Sequence, residues 1–234
     1  MIRADHLRVP RAHSRAAVSV TLALTLAVGL VLAGVVVLRD RASASHAGGC
    51  HRFAADHAAR LRDVTGSGRS VVVIGDSWSV GYKLTDPARA WPSRLPGRVR
   101  VDGFSGSGFS AHASSCGAVS YATRTRTARN ADLVVVEGGL NDFDQPYAAV
   151  RSGFDRLVSR LAGHDVVVVG PAPAPRRLAG ARRVDRWLAA LSRAAGIDYV
   201  SSIRLRLPYL PDRLHLTLAG HREFGDFVAR HLPA

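Results

Sequence analysis

Residues 70–77 read Ser-Val-Val-Val-Ile-Gly-Asp-Ser. Four consecutive β-branched residues stop at a glycine, and two small polar side chains follow. An unbroken Val/Ile run of this length suits a strand covered on both faces, because a half-exposed strand alternates apolar with polar positions. Similar runs occur at Val99–Val101, Leu133–Val136, Val166–Val169 and Ile197–Val200. Between them apolar residues recur at helical spacing, as Val150, Phe154, Leu157, Val158 and Leu161, and again as Val184, Trp187, Leu188, Leu191 and Ala195. A helix is also expected over His51–Val64, and a last one from about Thr217 to His231. Strands alternating with helices predict an α/β fold whose parallel sheet is covered on both faces. Right-handed crossovers reduce the choice to a three-layer α/β/α sandwich with about five parallel strands.

In such a sheet ligands bind beyond the carboxyl ends of the strands, so the residues just after each strand carry the functional reading. They are Gly75-Asp76-Ser77, then Gly103-Phe104-Ser105-Gly106, then Gly138-Gly139-Leu140-Asn141-Asp142. After the fifth strand and a loop come Asp212-Arg213-Leu214-His215. A serine hydroxyl is a weak nucleophile until a base accepts its proton, and His215 is a candidate for that role. Asp212, three residues earlier, can reach the imidazole through a local turn and set its tautomer. The Ser77 and Gly106 backbone N–H groups and the Asn141 side-chain amide are candidate donors for an oxyanion.

These blocks resemble the SGNH hydrolases, also called the GDSL esterase/lipase family: Val73-Ile74-Gly75-Asp76-Ser77, Gly106 within GFSGSG, Gly139-Leu140-Asn141-Asp142 and Asp212-x-x-His215, in that order and each after its own strand. The resemblance spans roughly residues 70–232. It implies a flavodoxin-like three-layer fold, Ser77 as nucleophile, His215 as base with Asp212 as its partner, and Ser77, Gly106 and Asn141 as the oxyanion hole. It implies a carboxylic ester hydrolase that needs no cofactor or metal. Trp78 stands where Leu or Ile is usual, and Leu216 stands where proline is common. Asp102-Gly103 lies near the position of a frequent asparagine. None of these removes a catalytic group.

Asp76 and Asp142 read as loop-bracing carboxylates. Tyr82 and Trp91 are open between acyl-pocket and core roles, and the loop holding Pro171, Pro173 and Pro175 lies on the same rim. His112, His164 and His221 have no ligand-spaced partners, so no metal is expected. Three readings of the site stay open: an esterase, an acyltransferase passing the same acyl group to a sugar hydroxyl, and a non-catalytic binding module. Protonation of His215 is expected to give an acidic limb at about pH 6–7.

Residues 16–38 form a 23-residue stretch without a charge. About 20 helical residues cross a bilayer core, so this is a transmembrane candidate. Arg3, Arg8, Arg11 and Arg15 precede it, which places residues 1–15 in the cytoplasm as a basic arm and the remainder outside. Its length favours an uncleaved anchor over a cleaved signal, whose apolar region usually has about 7–15 residues. Ala42-Ser43-Ala44 leaves cleavage and secretion open. Residues 39–50 then read as a linker and 51–234 as the hydrolase domain.

The net charge of +14 comes from 32 basic residues, of which Lys83 is the only lysine. Residues 1–41 carry six arginines against two aspartates, leaving +10 on the exterior part. An exported basic domain meets anionic lipid or wall polymer, so nucleic acid is not an expected partner; an ester of the cell envelope is the expected substrate. Export also permits a disulfide between the two cysteines, Cys50 and Cys116.

Overall fold

The computed structural model describes residues 31, 34, 35, 38 and 47–233. The chain divides into two compact units, Met1–Gly49 and Cys50–Ala234. In the first, Val31, Gly34, Val35 and Leu38 are helical; residues 1–15, most of the apolar run 16–38 and most of the linker lie outside the described residues. Among the described residues no helix is long and apolar enough to cross a membrane.

The second unit is built on a six-stranded sheet: β1 (Val64–Thr65), β2 (Ser70–Gly75), β3 (Arg98–Gly103), β4 (Leu133–Glu137), β5 (Val166–Val169) and β6 (Asp198–Val200). Their order is β1-β3-β2-β4-β5-β6. β3, β2, β4, β5 and β6 run parallel, and β1 pairs antiparallel with the outer side of β3. The helices are α1 (residues 47–62), a single-turn α2 (Ser77–Val80), α3 (Tyr147–Arg160), α4 (Leu178–Ala195) and α5 (Leu218–Ala229).

The Val/Ile runs behave as their composition requires. Val71 and Val73 face one way and join Leu133, Val135, Val167 and Val169 in a core shared with Phe224 and Val228 of α5. Val72 and Ile74 face the other way and join Val134, Val136 and Val168 against Val150, Phe154 and Leu157 of α3 and Val184 and Leu188 of α4. The sheet is thus covered on both faces, giving three layers.

Two expectations need correction. The first helix ends at residue 62, where the Asp63 amide turns back to the Arg60 carbonyl, and Val64–Thr65 leaves it as an edge strand. The sheet therefore has six strands, one of them antiparallel. A two-residue strand is too short to show alternation, so Val64 reads as the end of the preceding helical pattern. Elsewhere the limits differ by a few residues; α5, for example, starts after Thr217, whose hydroxyl caps it by accepting the Gly220 amide at 3.1 Å.

The chain moves outward from β2 to β3 on one side, then returns past β2 to β4 and continues to β5 and β6. The crevice at the carboxyl ends of β2 and β4 is therefore the topological switch point of the sheet.

Candidate active site

β2 ends at Gly75, and Asp76 caps the one-turn helix that follows, its Oδ1 accepting the Trp78 amide at 2.9 Å. Ser77 is the first helical residue. Neither its backbone N–H nor its hydroxyl makes a hydrogen bond among the described residues. The helix closes at once: the Gly81 and Tyr82 amides both return to the Ser77 carbonyl, with Gly81 at φ +83°. Ser77 is thus held at a sharp strand-to-helix turn.

Ser77 lines a cavity of about 150 Å³ together with Gly106, Asn141 and His215; Phe53, Tyr82 and Arg177 also border it. Gly106 has φ +84°, a conformation that carries little cost only without a Cβ, and its N–H also lacks an acceptor among the described residues. Asn141 is firmly held. Its Nδ2 donates to the Ser107 carbonyl at 2.8 Å and to Asp76 Oδ2 at 3.1 Å, while its Oδ1 accepts from Arg177 at 2.6 Å.

His215 lies on an irregular segment fixed at several points. The Leu210 amide donates to the His215 carbonyl, and Tyr209 and Leu216 form a β-bridge. His215 Nδ1 and Asp212 Oδ2 are 2.7 Å apart. Asp212 Oδ1 accepts the amides of Leu214 and His215, both at 3.0 Å, so the carboxylate is oriented by its own turn. Trp78 ties this segment to the serine turn: its ring is buried, and its Nε1 donates to the Leu214 carbonyl at 3.1 Å. The unusual residue after the serine is therefore a strut between the two halves of the site. Leu216, in place of the common proline, is fully buried.

Two cations reach this site that sequence reasoning missed. Lys83 Nζ donates to Asp212 Oδ2 at 2.6 Å, sharing that oxygen with His215. Lys83 also has φ +70°, an uncommon conformation for a residue with a Cβ. Its being the only lysine was the available signal. Arg177 comes from the end of the proline loop and stacks over Phe143 at 4.4 Å. Burial acts to raise the Asp212 pKa, but hydrogen bonds from Lys83, His215 and Leu214 outweigh it and hold the carboxyl well below its ordinary range. Burial lowers His215; the Asp212 carboxylate opposes this, and Lys83 and Arg177 lower it further, so the net direction is down.

A third missed residue is Glu137, the acidic end of the otherwise all-apolar strand β4. It is buried, and its Oε2 accepts from Ser79 Oγ at 2.6 Å; Trp91 Nε1 donates to the same hydroxyl at 3.2 Å. Burial and the neighbouring Asp76 push Glu137 well above the usual carboxylate range. Burial likewise raises Asp76 to about 7 and Asp142 to about 6. Asp142 bridges two loops by accepting the Phe109 and Ser110 amides at 3.0 and 2.8 Å, which is more than bracing its own turn.

The remaining candidates separate cleanly. Tyr82 borders the cavity, with its ring 5.2 Å from that of His215, whereas Trp91 packs in the core against Phe224. His221 is buried with Nδ1 3.3 Å from the Trp91 amide nitrogen. Among the described residues no group of three His, Cys, Asp or Glu side chains is placed to hold a metal ion. Cys50 and Cys116 form a disulfide with Cα atoms 5.4 Å apart. It ties α1 to the loop after β3, and α1 in turn presents Phe53 edge-on to Tyr82 at the cavity rim.

The arrangement offers a free hydroxyl, an oriented imidazole and two unused backbone donors around one small cavity. A family model described as the GDSL-like lipase/acylhydrolase family matches residues 73–223. No curated protein matches the sequence. Among solved structures, the chain is similar to Est24, a carbohydrate acetylesterase from Sinorhizobium meliloti, at 19% identity and TM-score 0.58, covering 70% of this chain and 97% of that one. It is similar to the inhibitor-bound aryl esterase of M. smegmatis at 17% identity and TM-score 0.61, with the same coverage. A carbohydrate esterase whose active site displays divergent catalytic and non-catalytic binding functions is similar at 16% identity and TM-score 0.53, covering 70% of this chain and 64% of that one. At these identities the likeness carries the fold.

Proposed function

The chain belongs to the GDSL-like lipase/acylhydrolase family and is a carboxylic ester hydrolase, and from that premise we propose that it cleaves short acyl esters through Ser77, His215 and Asp212. Ser77 Oγ attacks the ester carbonyl while His215 takes its proton; the alcohol leaves with that proton, and a water activated by His215 releases the acid from the acyl-enzyme. The observation that carries this reading is the 2.7 Å His215–Asp212 contact on the same cavity as an unbonded Ser77 hydroxyl.

The Ser77 and Gly106 N–H groups serve as oxyanion donors. Asn141 joins them by exchanging its longer Nδ2 bond, the one to Asp76, for the oxyanion. The cavity of about 150 Å³ is below the roughly 300–1,000 Å³ of pockets that enclose drug-sized ligands, which supports an acetyl or similarly short acyl group. The esters are those of envelope glycans or small lipids. Export is part of this proposal, supported by the apolar run 16–38 and by the Cys50–Cys116 disulfide, a bond favoured in oxidising compartments.

The test is release of p-nitrophenol from acetate through octanoate esters by the full chain, beside Ser77→Ala. Activity confined to the short esters and lost in Ser77→Ala is the expected result. Silence on every chain length, or activity that survives the substitution, overturns the triad. Product analysis with an added sugar acceptor separates hydrolysis from acyl transfer. Protease accessibility of the hydrolase unit in intact cells tests export.

A further inference from the structure

A second, larger cavity of about 440 Å³ lies on the β1–β3 side of the sheet, and four arginines line it: Arg98, Arg100, Arg126 and Arg129. The register explains how two of them come together. Val64 pairs with Arg100, Arg100 with Val72, and Arg98 with Ser70, so these side chains share one face of the sheet. Farther along that face α3 and α4 cover the valines of β4 and β5. At the β3 edge the covering element is instead the short 3-10 helix Thr125–Ala128 with the turn after it, which bring Arg126 and Arg129.

No carboxylate lines the cavity. Two acids adjoining the lining residues are already engaged: Asp102 accepts from Arg124 at 2.9 Å and from Thr127 at 2.7 Å, and Asp132 accepts the Ser70 amide at 2.7 Å. All four arginines are exposed. Arg98 and Arg100 stand two residues apart on one strand face, about 7 Å from each other, where like charges repel. An arginine–glutamate alternation would serve the fold better. The arrangement gains instead when an anion with several oxygens and more than one negative charge bridges the guanidinium forks, and a phosphoryl group has that geometry and charge.

We propose that this four-arginine cavity is a second, non-catalytic site that binds phosphate esters, supplied by a lipid headgroup or by a phosphodiester polymer. Ser70 and Arg98 open β2 and β3, whereas Ser77 follows the carboxyl end of β2, about 16 Å of strand away. A bound phosphate ester therefore leaves the Ser77 cavity open, and binding is read without turnover, independently of the esterase reading.

The experiment uses the full chain in neutral detergent. Arginines are modified with phenylglyoxal and followed by peptide mass spectrometry, with inorganic phosphate, a glycerol phosphate oligomer, or micelles doped with phosphatidylglycerol or phosphatidylcholine as probes. Phosphate is expected to slow modification of Arg98, Arg100, Arg126 and Arg129 by about fivefold or more, while exposed Arg156 and Arg182 react unchanged. The oligomer and the phosphatidylglycerol micelles distinguish polymer from headgroup as the source. Replacing all four arginines with glutamine should weaken binding of the effective probe at least about tenfold, with hydrolysis of a small ester retained, and wild-type binding should weaken between about 50 and 200 mM salt. The proposal falls if no phosphate probe protects these four above Arg156 and Arg182, or if acetate at equal ionic strength protects them as well as phosphate does. Both readings use the wild-type chain, so they hold even if the quadruple variant does not fold.

Discussion

The two walls of the Ser77 cavity are made of different material. On one side, Ser77 stands at the turn just after a central strand, and the carboxylates Asp76, Glu137 and Asp142 around it are no more than 1% exposed. On the other, Asp212 and His215 sit on an irregular segment, partly accessible, held by a salt bridge to Lys83 and by the Trp78 strut. The first wall is part of the core, so damage to it reaches the fold. The second is attached to the core, so damage to it should reach chemistry first. Nucleophile geometry is thus protected by cooperative packing, while base strength is set by a few local charges.

The largest test of this division is on the chemistry. Ser77→Ala and His215→Ala should each lower kcat/KM by about 10⁴-fold or more, with Asp212→Asn close behind, because the nucleophile, base and orienting carboxylate act as a unit. If the exposed wall is only attached, His215→Ala and Asp212→Asn should leave the Tm nearly unchanged; a shared large drop in Tm would break the comparison.

Next comes the rim that α1 adds. Converting Cys50 and Cys116 to serine frees a 66-residue separation and should cost about 4 kcal/mol on chain-entropy grounds, read as a lower midpoint in denaturant. Because α1 carries Phe53 to the cavity, KM for short esters should rise while kcat changes little.

On the buried wall, Glu137→Ala should cost about 1–3 kcal/mol by stranding the Ser79 hydroxyl, and Glu137→Gln less. The pH dependence gives the sharper reading. A carboxyl whose folded pKa is raised binds more protons when folded, so its contribution is complete below its unfolded value and is lost as pH rises through the folded one. For Asp76 that window runs from 3.8 to about 7. Glu137 acts in the same sense, while His221, which burial lowers to about 4, acts in the opposite one, so the reading is the difference: the Tm of Glu137→Gln relative to wild type should rise from acid toward neutral pH.

The smallest expected effect is at Lys83. His215 is held below its ordinary value, so the acidic limb of kcat/KM should lie on the acid side of the ordinary imidazole range, lower than sequence alone suggests. Lys83→Met removes one of the charges lowering it, and the limb should move toward neutral pH with little change in the plateau. A limb that stays in place would mean that Lys83 only positions Asp212.

How much of this was legible follows the same division. Ser77, Gly106 and Asn141 were readable as rim residues because each follows a strand at a short offset, and strand position is what the valine runs announce; Asp212 and His215, on an irregular segment well past the end of β6, were readable only from their own three-residue spacing. Lys83, Arg177 and Glu137 were not. Lys83 reaches Asp212 across 129 residues through a left-handed turn, which no local pattern records. Arg177 was hidden among arginines that this chain uses everywhere. Glu137 looked like the polar end of a strand, and only the sheet's packing shows it sealed beneath the site. The edge strand β1 was lost for a simpler reason, since two residues have no period.

The Lys83–Asp212 contact also has a practical side. With one lysine in 234 residues, amine-directed reagents find a single side-chain amine, and it is bonded to the carboxylate that orients the base. Acetylation would erase its charge, and an amine-reactive fluorophore would report the state of the site directly. Immobilisation through that side chain would bind the molecule by its working end.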